Sequence, residues 1–175
     1  VVYALLLSSD DDTVRDTQDM HLASSAETGA IAAIQRVAPE IATVGAHARL
    51  PLLDLCLPAL TQLSAEQYER FRANVEFLAA ADGEISLFEY TLRLVVFRHL
   101  DRHFADRKAK EPKHRSVEAI LPSCGQVLSI LARWGAEDDE AAAEAFAKGA
   151  AELPGGQALA LLDAEHCDLG ALDNA

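Results

Sequence analysis

Basic residues are in short supply in this chain. Fifteen Lys and Arg stand against 28 Asp and Glu, a formal charge of −13. Neutralising nucleic-acid phosphates takes a basic surface, so this balance excludes a nucleic-acid-binding role. Cysteine is scarce too: Cys56, Cys124 and Cys167 form no C-x-x-C pair. Their spacing excludes a zinc knuckle and a dithiol redox pair, and unpaired thiols fit a reducing compartment. Aromatic residues make up 6 % of the chain and β-branched residues are scattered, which disfavours sheets. No stretch reaches the roughly 18–20 apolar residues that span a bilayer. Val1–Leu7 is apolar but short and lacks a basic flank, so it is neither a membrane span nor a signal peptide. Gly155-Gly156 is a lone pair rather than a phosphate-binding loop, and Ser123-Cys124-Gly125 has no signature of a nucleophile elbow.

Ala and Leu dominate what is present. Half of the 175 residues are hydrophobic, enough for a real core in one domain, or one domain with an appendage. This composition favours helices. Charge is distributed unevenly: residues 1–60 carry a net −5, residues 61–115 a net +1 and residues 116–175 a net −9. Such blocks are ordinarily solvated helix faces; the alternative is that the basic middle or the acidic tail meets a partner.

The pattern predicts an all-α fold, an irregular multi-helix bundle around a central buried helix and an αα-hairpin. Val1–Leu7 reads as the end of a helix. Ser9 or Asp10 is expected to cap a second, running to about Ala26, with acidic residues at its N-terminus where the helix dipole favours them. Glu27–Val37 reads as a third helix ended by Pro39, and Glu40–Ala46 as a short one after it. Arg49–Leu63 is apolar on most sides, which predicts a buried helix with Cys56 in the core, Pro51 in its first turn and Pro58 kinking or breaking it.

Ser64-Ala65-Glu66-Gln67 and Ser86-Leu87-Phe88-Glu89 are capping boxes. The first opens a helix to about Ala81 with Phe71, Val75 and Leu78 inward. The second opens a helix to Phe104 with Leu87, Tyr90, Leu94, Phe97 and Leu100 inward. Together they predict a hairpin closing a main bundle over residues 1–104. Residues 105–115 read as a flexible basic linker. Residues 116–175 read as an acidic helical segment on or beside the bundle: Ser116–Trp134 interrupted by Pro122, Asp138–Leu153 stopped by Pro154-Gly155-Gly156, and Gln157–Ala164 as a last helix.

Two groups could hold a metal. Asp82-Gly83-Glu84-Ile85…Glu89 matches the second half of a calcium loop, but the first ligand positions fall on Leu78 and Ala80, which offer no side-chain oxygen. A glycine turn followed by a Ser-capped helix explains the same residues. His99 and His103, four apart, share a helix face and could share a zinc; Leu100 stands where a zincin places its glutamate, and Asp101 comes one position late. Two exposed histidines at a helix C-terminus are the ordinary reading. The residues thus predict no catalytic or cofactor-binding site and no metal site, with Asp82, Glu84, Glu89, His99 and His103 as the candidates to watch.

Three segments taken in order carry a resemblance. They are Val2-Tyr3-Ala4-Leu5-Leu6-Leu7 followed by acids and Gln18; Ala48-Arg49-Leu50-Pro51-Leu52-Leu53-Asp54-Leu55; and Gln67-Tyr68-x-x-Phe71 leading into Ala81-Asp82-Gly83 and Leu87-Phe88-Glu89. Over roughly residues 1–105 the chain resembles the C-terminal region of bacterial membrane-bound zinc metallopeptidases of the CAAX prenyl protease type. The Ala-Asp-Gly…Glu run is also similar to tellurite-resistance TerB-like helical domains.

In the first family an H-E-x-x-H helix and a later Glu hold zinc, upstream and beside transmembrane helices. None of those motifs occurs here, so no catalytic residue carries over. The resemblance implies an accessory domain at the cytoplasmic face, without cofactor of its own, partnered by the zinc-bearing catalytic domain of the same parent and by its protein substrates. The start without Met and the abrupt Val1–Leu7 run fit a piece of a longer chain. The second resemblance implies a stand-alone module binding a protein or a divalent metal through Asp82, Glu84 and Glu89. A third reading is a small metal-dependent hydrolase using His99 and His103.

Overall fold

A computed structural model describes residues 1–104 and 116–167, together with Leu169. The fold is all-α: among the described residues there are eight α-helices and no strand. The chain divides into two compact units, Val1–Ala109 and Lys110–Ala175. The linker expected over residues 105–115 lies outside the described residues.

The first unit is built around a very short helix. A five-residue helix is unstable in isolation, because nucleation costs more than so few bonds return. Helix α1 (Val2–Leu6) is held by burial instead: Val2, Ala4, Leu5 and Leu6 are all in the core. It packs against α3 (Ala30–Ala42), α4 (Ala46–Leu60) and α5 (Ala65–Ala79). Helix α2 (Asp12–Ser25) lies on α5, and α6 (Leu87–Phe104) packs against α4 and α5. Leu22, Leu53, Val75, Leu78, Leu92, Val96 and Leu100 are fully buried. Each contributes about 1.5–3 kcal/mol relative to an exposed position.

The N-terminal caps follow from side-chain chemistry. Asp11, one residue beyond the expected pair, caps α2 by accepting from the amides of Thr13 and Val14. Both capping boxes form: Gln67 and Ser64 bond reciprocally, as do Glu89 and Ser86.

Prolines stop less than expected. Helix α3 runs through Pro39 and absorbs part of the short helix expected after it. An interior proline costs about 3 kcal/mol; Ile34 and Ile41, buried on either side of Pro39, together return at least as much. Helix α4 begins earlier than expected, which moves Pro51 out of the first turn, and it continues through Pro58.

The centrally buried helix needs correction. Only Leu53 and Leu57 of α4 are in the core; Leu50 is 37 % and Leu55 78 % exposed, and Cys56 is half-buried. The inward stripe of α6 is Leu92, Val96 and Leu100, while Leu87, Tyr90, Leu94 and Phe97 are only half-buried.

In the second unit, Pro122 starts a helix rather than interrupting one. It lies in the first turn of α7 (Leu121–Gly135), where no amide bond is lost, after a 3-10 turn at Glu118–Ile120. Helix α8 (Asp139–Ala151) is capped by Asp138 and packs on α7. Ala132, Phe146 and Ala150 form the core with Leu128, Leu159 and Leu161 around them. A Cβ on Gly149 would stand 2.8 Å from Leu128 Cδ2, so glycine permits the close α7–α8 approach. The chain leaves α8 through Gly155, whose φ of 81° is left-handed. The last helix expected over Gln157–Ala164 is absent: two 3-10 turns, Gly156–Ala158 and Ala164–His166, flank extended residues. Buried Ser129 secures that stretch by accepting from the Leu162 amide, and Arg133 Nε donates to the Leu162 carbonyl at 2.6 Å.

Candidate functional site

The acidic turn joining α5 to α6 spends its groups on itself. Gly83, with φ 83°, turns the chain, and its amide donates to the Ala80 carbonyl. Asp82 Oδ1 accepts from the Glu84 amide at 3.1 Å. Glu89 Oε2 accepts from the Ser86 amide at 2.8 Å and the Ser86 hydroxyl at 2.7 Å. Leu78, at the first calcium-ligand position, is buried in the core. His99 and His103 are both exposed near the other end of α6, with the His103 ring edge-on to Phe104. Ten residues of helix, about 15 Å, separate Glu89 from His99, so the two candidate groups do not combine. Among the described residues no three His, Cys, Asp or Glu side chains cluster as a metal site would require.

The structure instead concentrates polar chemistry in three interhelix clusters. In the first, buried Asn74 of α5 takes three partners. Its Oδ1 accepts from His21 Nε2 at 2.9 Å and Ser25 Oγ at 2.7 Å, and its Nδ2 donates to the Tyr3 hydroxyl at 3.2 Å. With its amide oxygen accepting, His21 must carry its proton on Nε2; its ring stacks on Phe77 at 3.7 Å. In the second, buried Gln18 donates to the carbonyls of Leu6 and Leu78 and accepts from the Ser8 amide. These two residues tie α1, α2 and α5 together.

The third cluster joins α5 to the end of α6. Asp101 Oδ1 accepts from the Tyr68 hydroxyl at 2.6 Å and from Arg72 Nη1 at 2.8 Å. The Arg72 guanidinium also lies over the Phe97 ring at 4.6 Å, and Tyr68 stacks on Phe104. Burial, followed by the Asp101 carboxylate that accepts its proton, pushes the Tyr68 phenol well above its ordinary value; Arg72 pulls it partly back. Burial raises Tyr3 likewise, partly offset by the Asn74 hydrogen bond.

These clusters were only partly legible. Asn74 is a polar residue at helical spacing within the apolar stripe Phe71, Val75, Leu78, and that interruption is the signal that marks it.

The Tyr68 shift has a consequence in alkali. A phenol whose folded pKa lies above its unfolded value leaves stability intact below about pH 10, where neither state is ionised. Stability then falls as pH climbs past that value, because the unfolded chain loses the proton first. Chemical denaturation at about pH 9 and pH 11 should show a steep loss in the parent and a smaller one in Tyr68→Phe. Equal losses would remove Tyr68 as the cause.

No helix among the described residues is long and apolar enough to cross a membrane. No family model matches the chain, and no curated protein or solved structure matches it either.

Proposed function

We propose that this chain is a non-catalytic accessory domain of a membrane-bound zinc metallopeptidase of the CAAX prenyl protease type. It works at the cytoplasmic face, and modulates the catalytic domain or presents protein substrates to it. One observation carries this reading. The segments that bear the resemblance, far apart in sequence, become α1, α4 and the α5–α6 hairpin, and Val2, Leu5, Leu6, Leu53, Tyr68 and Phe71 from them meet in one core.

The disposition of polar groups supports a role without chemistry of its own. Peptide hydrolysis needs an activated nucleophile, a proton-transfer group and oxyanion stabilisation within one site. Asn74, Gln18 and Asp101 are engaged in bonds between helices. His99 and His103 have no third ligand beside them among the described residues, and on this reading zinc is held by the catalytic domain of the parent. Leu55 falls within the resembling segment and faces outward from α4, which makes its side our assignment for contact with the catalytic domain.

The test compares an intact metallopeptidase of this type with a version truncated before Val1, using casein and a panel of unfolded proteins. Truncation should change substrate range or rate, Leu55→Glu in the intact enzyme should change it in the same direction, and the isolated chain should cleave nothing. If truncated and intact enzymes agree on every substrate, the modulatory role fails. A separate binding function, with a protein or with a divalent metal at Asp82, Glu84 and Glu89, then becomes the better reading.

A further inference from the structure

The first unit contains a small crevice framed by α1, the α1–α2 turn, the start of α2, the end of α3 and the start of α4. Leu5, Ala38 and Ile41 form its apolar wall, and Ser8, Arg15 and Arg49 stand in its polar part. Its volume of about 100 Å³ is room for about three waters, or for a carboxyl group with a few carbons behind it.

The charges around it are unusual for this chain. Residues 1–60 contain only three basic side chains, Arg15, Arg36 and Arg49, and two of them line this one crevice. Half-buried guanidinium groups are costly without a counter-charge; Arg72 has one in Asp101 and Arg133 in Asp139, whereas Arg93, also half-buried, keeps a buried Nε without a hydrogen-bond partner among the described residues. Arg49 is half-buried with the Phe88 ring 5.6 Å away, and among the described residues no carboxylate pairs with it. Arg15 gives Nε to Asp19 at 3.0 Å and leans Nη1 towards the Ser8 carbonyl at 3.5 Å, which leaves Nη2 for a ligand. Two guanidinium groups, a serine hydroxyl and an apolar wall form a receptor for a small anion with a hydrocarbon tail.

We infer that this crevice binds a monocarboxylate with a short apolar tail, either a free short-chain acid or the C-terminus of a peptide ending in a small apolar residue. The planar guanidinium matches a carboxylate in a bidentate manner. A dianion such as phosphate is disfavoured, because Asp10 and Asp11 in the turn and Asp12 at the start of α2 repel a second negative charge. The inference rests on the geometry of the crevice and does not depend on the metallopeptidase reading.

Amide chemical shifts of the full chain, titrated with sodium butyrate against sodium chloride of equal ionic strength, test it. Saturable shifts centred on Ser8, Ala42 and Arg49, with a dissociation constant near about 1–10 mM, are expected. Arg49→Ala should weaken binding at least tenfold. Ala38→Leu, which fills the crevice and leaves both arginines, should abolish it with helix content unchanged. A peptide ending in free Val, compared with its C-terminal amide, distinguishes the sources. Binding of butyrate alone assigns a free acid, and binding of the free-acid peptide alone assigns a chain terminus. Absence of saturable shifts with both ligands, equal binding of the amidated peptide, tighter binding of phosphate, or indifference to both Arg49→Ala and Ala38→Leu would each overturn the proposal.

Discussion

Asn74→Leu is expected to destabilise the chain by about 3 kcal/mol or more, read as a lower midpoint in guanidinium denaturation followed by circular dichroism. Leucine fills a similar space but offers no acceptor to His21 and Ser25 and no donor to Tyr3. A polar group left unsatisfied in a protein interior costs about 1–3 kcal/mol, and His21 and Tyr3 lose their partner here, while the Ser25 hydroxyl keeps the His21 carbonyl. The substitution also leaves Gln18 as the remaining buried polar tie of α1 and α2 to α5, so the unfolding transition should broaden as well as shift. An unchanged midpoint would mean that the cluster adds nothing beyond what water supplies.

The second large effect is a contrast within one helix. Leu53→Ala should cost about 2–5 kcal/mol, because Leu53 is fully buried and its removal leaves a cavity. Leu55→Ala, two residues on and largely exposed, should change stability by no more than about 0.5 kcal/mol. The pair decides whether α4 is enclosed or lies at the surface. If Leu55→Ala proved as damaging as Leu53→Ala, the helix would be covered all round.

That contrast also shows where the sequence stops being informative. A helix with leucine on every side implies burial on every side, yet α4 buries one. Apolar pattern records what a helix can bury, and the number of neighbours decides what it does bury. The same limit explains α6, where half-buried apolar residues surround the helix and the stripe of Leu92, Val96 and Leu100 is set by its contacts with α4 and α5. Local chemistry travelled better. The reciprocal bonds at Ser64 and Ser86 were readable because a capping box lies within four residues. Pro39 misled because a local penalty was weighed without the burial that offsets it, and Pro51 because α4 begins at Ala46 rather than Arg49.

Of the candidate site, the Asp82–Glu89 turn was placed correctly as a glycine turn before a capped helix. The crevice carrying Arg15 and Arg49 was not legible, since its walls come from four helices and a turn between residues 4 and 49. No spacing rule connects those positions before the chain has folded.

The three prolines within α3 and α4 leave a dynamic imprint. Proline has no amide to donate, so the carbonyls of Gln35, His47 and Asp54 each lose their regular partner one turn on. Both helices therefore have gaps in their own ladders, unlike α5, which has no proline and a reciprocal cap. Subglobal opening follows contiguous cooperative segments of unequal stability. Amide hydrogens from Ala30 to Leu60 should exchange as an early-opening foldon, while those of Phe71 to Ala79 persist until the whole unit unfolds.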